Sequence, residues 1–430
     1  RINEIKKNMK NIEECLKENL TETDVEILNS SITDIAEKTE EKQKTLKEHH
    51  KDIVTCAEMF FLEYGEYFTE KEKKLVVEAC RIHDLGKVNL VFQAMICPKL
   101  AEKFHIDVRK TQQIPHGFLS AVTISLDEFD DLSELFSDKD FGPFITAVYY
   151  HHDREDHYNS PAIRKYAEKY YMKQIEEYLN RKIRKLNCSN LDDLLFRNNV
   201  YTGKYIPDSN AWKEYLLIKG LLNKFDYTVS AGYENAESAI DLHEKKLVKN
   251  IEKFLNGKEL RPAQKFMKMN RDKNLIVIAP TGSGKTEASL LWMNGEKSFY
   301  TLPLKVSSNA IYLRIKENYE YKDVALLHSD AMAVYLREYN GNEDIGEKYE
   351  RSKMLSQPLT VCTVDQLFRF VYRALGTEIF AATLKYSKLV LDEIQAYEPR
   401  VIATIIYGLK MIQEMGGKFA IITATFPPVL

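Results

Sequence analysis

The sequence predicts a multidomain chain, with an all-α domain first and an α/β domain built on a parallel sheet second. Three observations carry this reading. Apolar residues recur at helical spacing through about residue 235, as in Leu75, Val76, Ala79 and Ile82, or Leu217, Leu221, Leu222 and Phe225. After Arg261-Pro262, short β-rich runs take over at 275–279, 298–302, 324–327, 360–363, 388–391 and 419–423. Helical segments lie between these runs, and strand alternating with helix is the pattern of a parallel sheet. The expected boundaries are a helical domain at 1–235, a charged helical connector at 236–260 and an α/β domain at 261–430.

Composition narrows the class. The chain has 430 residues, 44% of them hydrophobic and 29% charged, enough to build real cores. Lys and Arg total 61 against 64 Asp and Glu, for a net charge of −3, so bulk positive charge cannot be how it holds nucleic acid. A local basic groove stays open. The six cysteines are scattered with no C-x-x-C pair, which argues against a zinc ribbon or a disulfide framework and fits a reducing, cytoplasmic setting. No run approaches the ~20 apolar residues of a membrane helix. The Lys and Glu interleaved through the first 50 residues read as a solvated helix face.

The run at 275–279 is a buried-strand pattern that feeds into Ala279-Pro-Thr-Gly-Ser-Gly-Lys-Thr286 and then a helix. In such a loop the backbone around Thr281, Gly282, Ser283 and Gly284 turns its N–H groups toward phosphate, and the helix N-terminus adds its dipole. Lys285 reaches the β- and γ-phosphates of ATP, and the Thr286 hydroxyl holds Mg²⁺. The strand at 388–391 ends in Asp392-Glu393-Ile394-Gln395. Asp392 is expected to bind Mg²⁺ through water, and Glu393 to orient and deprotonate the attacking water.

These two motifs, with Arg261-Pro-Ala-Gln264 upstream and Thr423-Ala-Thr425 downstream, resemble superfamily 2 helicases over about 255–430. The resemblance implies a first RecA-like domain in which Gln264 reads adenine. It also implies that 301–309, 328–330 and 363–366 touch the backbone of one nucleic-acid strand. A second RecA-like domain, in cis or as a separate chain, would bring arginine fingers. Without it the expectation is weak ATP binding and negligible hydrolysis.

Eight of the ten histidines fall between positions 49 and 157: His49, His50, His83, His105, His116, His151, His152 and His157. His83-Asp84 ends a helix starting near Glu72, with Gly86 as the expected C-cap. His151-His152 ends another helix, and His116 opens a third after Pro115. A carboxylate beside an imidazole can bridge two cations. Of His49 and His50, His49 is favoured because it stays on the apolar face of its helix. Asp226 lies on a helix with an apolar face, where an unpaired carboxylate is costly, and is taken as a further ligand, with Asp153 as the alternative. A mixed nitrogen and oxygen set suits Mn, Fe, Co, Ni or Zn.

His83-Asp84-Leu85-Gly86-Lys87 with Phe92-Gln93, then His116 with Ser120-Ala121, then His151-His152 and Asp226, resembles the HD nuclease domain of the CRISPR-associated helicase–nucleases of type I systems. That family joins these two parts in this order. The resemblance implies that His49, His83, Asp84 and Asp226 hold one ion, and Asp84, His116, His151 and His152 the other, the ions being Mn, Fe, Co or Ni. It implies that Lys87 touches the scissile phosphate or the bridging water. It also implies cutting and 3′→5′ translocation of single-stranded DNA, with recruitment by an RNA-guided surveillance complex. Gln395 departs from the His of many relatives. Two other functions fit the residues: an HD phosphohydrolase of small nucleotides regulated by the ATPase, or a non-catalytic translocase.

Overall fold

A computed structural model describes residues 35–38, 43–124, 141–152, 160–183, 186, 210–238, 245–338, 345–373 and 375–426. Cys15, Cys188, Asp153 and His157 lie outside them. Among the described residues no helix is long and apolar enough to cross a membrane, and Cys56, Cys80, Cys97 and Cys362 are free thiols. The chain forms two compact units, one of residues 1–57 and 74–207, the other of 58–73 and 208–430.

The first unit is helical, apart from a small antiparallel pair, β1 (Ile35–Lys38) and β2 (Gln43–Thr45), that the sequence reading did not foresee. Two helices, Leu46–Tyr64 and Glu70–Ile82, are each divided between the units. Both open on the same local device. Thr45 N–H donates to Glu48 Oε2 at 2.8 Å while Glu48 N–H donates to Thr45 Oγ1 at 3.1 Å. Thr69 and Glu72 repeat the exchange at 2.8 and 3.2 Å. This reciprocal capping box satisfies backbone donors that a helix start leaves over. The helices His116–Thr123 and Phe141–Tyr149 then form the apolar interior, with Phe118 and Tyr149 stacked at 3.9 Å between centroids.

The second unit holds a six-stranded sheet in the order β3-β8-β7-β4-β6-β5. The strands are β3 (Leu275–Ile278), β4 (Ser298–Leu302), β5 (Val324–Leu327), β6 (Leu359–Thr363), β7 (Lys388–Asp392) and β8 (Lys418–Thr423). Every neighbouring pair is parallel. The inner strands are apolar on both faces because helices cover both sides, which is why they read as unbroken apolar runs. Leu290, Trp292, Tyr300, Leu326, Val361 and Ile422 are fully buried in this core. A parallel sheet places all six strand ends on one edge, where Ile278, Thr363, Asp392 and Thr423 hand over to loops.

The units differ from the sequence-based boundaries. Residues 58–73 and 208–235, read as part of the helical domain, pack with the sheet unit. The stretch read as a connector supplies the helix Lys246–Leu255, whose Leu247, Val248 and Ile251 join the sheet core. Helical periodicity reveals that a face is buried but not what buries it.

The capping box gives a direct test. Thr69→Ala removes one acceptor and one donor at the start of the Glu70–Ile82 helix. It is expected to cost about 1 kcal/mol, read as a lower urea midpoint, with Thr69→Ser near wild type. An unchanged midpoint in Thr69→Ala contradicts the capping account.

Candidate metal centre and nucleotide cleft

Asp84 occupies the junction between the Glu70–Ile82 helix and a 3-10 turn, Leu85–Val88, and is 1% exposed. Its two oxygens face different partners. Oδ2 lies 3.4 Å from His49 Nε2, 3.2 Å from His83 Nε2 and 2.8 Å from Lys87 Nζ. Oδ1 lies 3.2 Å from His116 Nε2 and 3.5 Å from His151 Nε2. His152 stands beside this second side, its ring 4.2 Å from that of His151 and 4.6 Å from that of His116. One ligand atom each from Asp84, His116, His151 and His152 fits within a 4.8 Å cluster.

Backbone contacts fix which ring nitrogen faces inward. His83 Nδ1 donates to the Cys80 carbonyl at 3.0 Å, and His151 Nδ1 donates to the Val148 carbonyl at 2.7 Å. With the proton on Nδ1, each Nε2 presents a lone pair to Asp84. This outer hydrogen bond is the usual companion of a metal-bound histidine. Burial lowers the His116 pKa to about 4 and also lowers that of His151, so both rings stay neutral near pH 7. Burial opposes ionisation of Asp84. His83 and the Lys87 ammonium, with the hydrogen bond from His116, outweigh it, and its pKa falls well below the usual carboxylate range.

The donor set fits a cation. His116 Nε2 and His151 Nε2 lie 3.2 Å apart beside the same carboxylate oxygen. With its proton on Nδ1, His151 Nε2 can accept a proton shared by His116 or, with His116 neutral at that nitrogen, flank a cation. Ligands at about 2.0–2.1 Å from a metal lie roughly 3.0–3.4 Å from each other, the spacing found here. His50 does not join this set. Its Nδ1 meets the Tyr178 hydroxyl at 3.3 Å, and burial drives its pKa down to about 3. Asp226 lies on the Asn210–Ser230 helix, a part of the second unit, where its Oδ1 accepts from Ser230 Oγ at 3.3 Å.

The expected role of Gly86 as a helix C-cap is corrected. It lies within the 3-10 turn, at ordinary φ. What demands glycine is close approach, since a Cβ here would sit 1.9 Å from the His116 carbonyl oxygen. Gly86 N–H donates to Ser120 Oγ at 2.8 Å, and Ser120 Oγ donates to the His116 carbonyl at 2.9 Å. These contacts tie the His116 helix to the Asp84 turn. Gln93 Nε2 donates to the Lys87 carbonyl at 2.7 Å and steadies the lysine's backbone.

In the second unit the loop after β3 carries Gly282 and Gly284 at positive φ, and the helix Lys285–Met293 follows. A cavity of about 590 Å³ opens here, lined by Arg261, Gln264, Gly284, Lys285, Thr286 and Asp392 among others. Gln264 closes its own helix start by accepting from Arg261 N–H at 3.0 Å. Lys285 Nζ pairs with Glu393, and Gln395 bonds both Glu393 and Thr423. The hydroxyl of Tyr300 on β4 donates to Asp392 Oδ2 at 2.7 Å. Burial raises the Asp392 pKa. Burial also opposes ionisation of Glu393, but hydrogen bonds from Lys285 and Gln395 prevail and lower its pKa. Tyr300 was not legible as a site residue, because its position inside a buried strand reads as core. Thr281 and Ser283 sit in the same loop, between β3 and the Lys285–Met293 helix.

Gly86→Ala is expected to push the His116 helix away from Asp84. It should cost about 1–3 kcal/mol of stability and weaken divalent-metal binding about 10-fold, as measured by urea unfolding and Mn²⁺ titration. A variant that folds with both values unchanged contradicts this packing role.

Comparison with known proteins matches both halves of the chain. Residues 36–210 match the family described as Cas3, HD domain, and residues 262–430 match DEAD/DEAH box helicase. The CRISPR-associated nuclease/helicase Cas3 of Methanothermobacter thermautotrophicus is 25% identical over 91% of this chain and 54% of its own length. The CRISPR-associated endonuclease/helicase Cas3 of Escherichia coli is 24% identical over 35% of this chain and 20% of its own length. Among solved structures, T. fusca Cas3 superposes with a TM-score of 0.63 at 18% identity, over 92% of this chain and 50% of that one, and shares the fold. The chain thus spans about half the length of the relatives it matches along most of its own length. It carries a Cas3 HD domain followed by a DEAD/DEAH box helicase domain.

Proposed function

We propose that this chain is a metal-dependent nuclease for single-stranded DNA, coupled to an ATP-dependent 3′→5′ translocase. In this reading it degrades foreign DNA in the cytoplasm during type I CRISPR interference, recruited by an RNA-guided surveillance complex. The observation that carries the nuclease assignment is the two-sided Asp84, with His49 and His83 facing one oxygen and His116 and His151 the other. A carboxylate so placed suits a bridging ligand. Asp226 joins the His49 and His83 set, and His152 the His116 and His151 set, on the resemblance to the HD nucleases. Two divalent transition-metal ions, of Mn, Fe, Co or Ni, would supply an activated water and neutralise charge on a phosphodiester.

The protein's own groups do the rest. The backbone-anchored His83 and His151 hold their lone pairs inward without adjustment, so little reorganisation accompanies substrate binding. Lys87, already 2.8 Å from Asp84, is placed to donate to a phosphate oxygen or to the bridging water. In the other site, the loop from Thr281 to Gly284 cradles phosphate and Lys285 transfers from Glu393 to the β- and γ-phosphates. Thr286 and Asp392 would hold Mg²⁺, which would neutralise charge on the phosphates, and Glu393 would act as the base toward the attacking water. Gln264 reads adenine. A second RecA-like domain, in cis or in trans, would complete the cleft.

The test of the nuclease is cleavage of circular single-stranded DNA with Mn²⁺, Co²⁺ or Ni²⁺ and no ATP. Asp84→Ala should reduce cutting to background, and wild-type cutting by a folded Asp84→Ala chain sinks the assignment. Release of mononucleotides from small substrates, with circular DNA left intact, would favour the small-nucleotide phosphohydrolase. A separate prediction concerns the cleft. Lys285→Ala should weaken ATP binding at least about 10-fold by fluorescent-nucleotide titration while leaving metal-dependent cutting within about twofold. The two sites share no residue, so equal loss of both activities would count against the division of labour.

A further inference from the structure

The Asn210–Ser230 helix is fastened to the sheet unit by buried charge. Lys219, Lys224, Lys297, Glu237 and Glu378 are all buried, at 0–6% exposure. Lys219 Nζ meets Glu378 Oε2 at 2.9 Å, and the Tyr215 hydroxyl donates to Glu378 Oε1 at 2.7 Å. Nearer the helix C-terminus, Lys224 Nζ meets Glu237 Oε1 at 2.8 Å. The Tyr386 hydroxyl donates to that same oxygen at 2.7 Å, and Lys297 pairs with Oε2. Lys224 Nζ also donates to the carbonyls of Met354 and Leu355 at 2.9 and 3.2 Å. Gly220 packs so tightly that a Cβ there would lie 2.5 Å from the Glu378 carbonyl oxygen.

Asp226 is two residues beyond Lys224. Successive residues on an α-helix are about 100° apart, so these two side chains leave the helix about 200° apart, on nearly opposite faces. The face of Lys224 is bolted to Glu237, and Asp226 rides on the other. We propose that Glu237 is a positioning residue for the Asp226 carboxylate, setting the height and rotation of the helix that carries it. This rests on the assignment of Asp226 as a ligand made above. Glu237 touches no substrate or metal. It acts by holding two ammonium groups that would otherwise be buried beside neutral backbone, and a helix released from such a clamp shifts to find other partners.

The route has a second consequence inside the same unit. The Glu378–Lys385 helix, which Lys219 and Gly220 grip, leads through Tyr386 directly into β7, the strand ending in Asp392. Tyr386 is also a Glu237 partner. The clamp therefore connects the Asp226 helix to the strand that carries the nucleotide-site acids.

The experiment is Mn²⁺ titration of the full chain, with free Mn²⁺ read by electron paramagnetic resonance, so that no activity enters the readout. Wild type should bind two ions and Asp226→Asn one. Glu237→Gln keeps the shape and halves the acceptor capacity. It should weaken one ion about 10-fold and leave the other unchanged, in keeping with the loss seen when an outer partner of a ligand is removed. Tyr386→Phe removes one donor and keeps both lysines on Glu237; it should weaken the same ion about threefold, and it serves if Glu237→Gln does not fold. A folded Glu237→Gln chain with the wild-type isotherm, or with both ions weakened equally, overturns the positioning role. A Tyr386→Phe chain with the wild-type isotherm does the same where it stands in. Two ions of wild-type affinity in Asp226→Asn overturn the ligand assignment itself, and this inference with it.

Discussion

The first unit is organised around one buried carboxylate. Asp84 is 1% exposed, yet it stays ionised beside the Lys87 ammonium, with four imidazoles converging on it. A carboxylate in that position would ordinarily neutralise itself by taking up a proton. Here the inward lone pairs of His83 and His151, fixed by their own Nδ1–H bonds to backbone, leave a ring of acceptors around an anion. The helices that carry these residues are constrained to meet at one point, and Gly86 permits the last of them, at His116, to come close enough.

The second unit solves a different problem, that of bringing distant segments to one edge. Parallel pairing places the loop after β3, the acids after β7 and Thr423 after β8 side by side, although about 140 residues of chain separate the first from the last. Side chains then connect them. Lys285, Glu393, Gln395 and Thr423 form a continuous polar chain across three loops. Gln395, which departs from the His of many relatives, is fully used in that chain as donor to one neighbour and acceptor from the other.

Much of this was legible in residues. The six sheet strands were read within one residue of their ends, because strands buried on both faces are continuous apolar runs with turn signals at each end; β3 is such a run too, although its Ile276 and Ile278 are exposed rather than buried as its pattern predicted. The histidine cluster and both phosphate-site motifs stood out by residue type and spacing. What escaped has physical reasons. β1 and β2 are four and three residues long and mostly polar, so no alternation marks them. Gly86 carries a glycine for packing against a residue 30 positions away, which no local rule reports. Tyr300 bonds an acid on a neighbouring strand, and its burial disguises it as core. The partition at 58–73 and 208–235 was not legible because the carboxylate partners of Lys219 and Lys224 lie far off in sequence.

Those buried lysines also sharpen what distinguishes a ligand site from a structural ion cluster. Around Glu237 every group has a complement. Two ammoniums and a phenol donate, one carboxylate accepts, and the spare protons of the lysines go to carbonyls at 354, 355 and 357. Nothing further is needed, and such a network can stay dry and fixed. Around Asp84 the balance runs the other way. Neutral rings and a carboxylate point acceptors at one another, and Lys87 alone brings positive charge. An ion could sit among these nitrogens and Asp84, whereas none could enter the Glu237 network without displacing a lysine. Two clusters of comparable burial are thus separated by one criterion, whether lysines already supply the positive charge, and the Asp84 cluster is the one whose ligand atoms suit a cation.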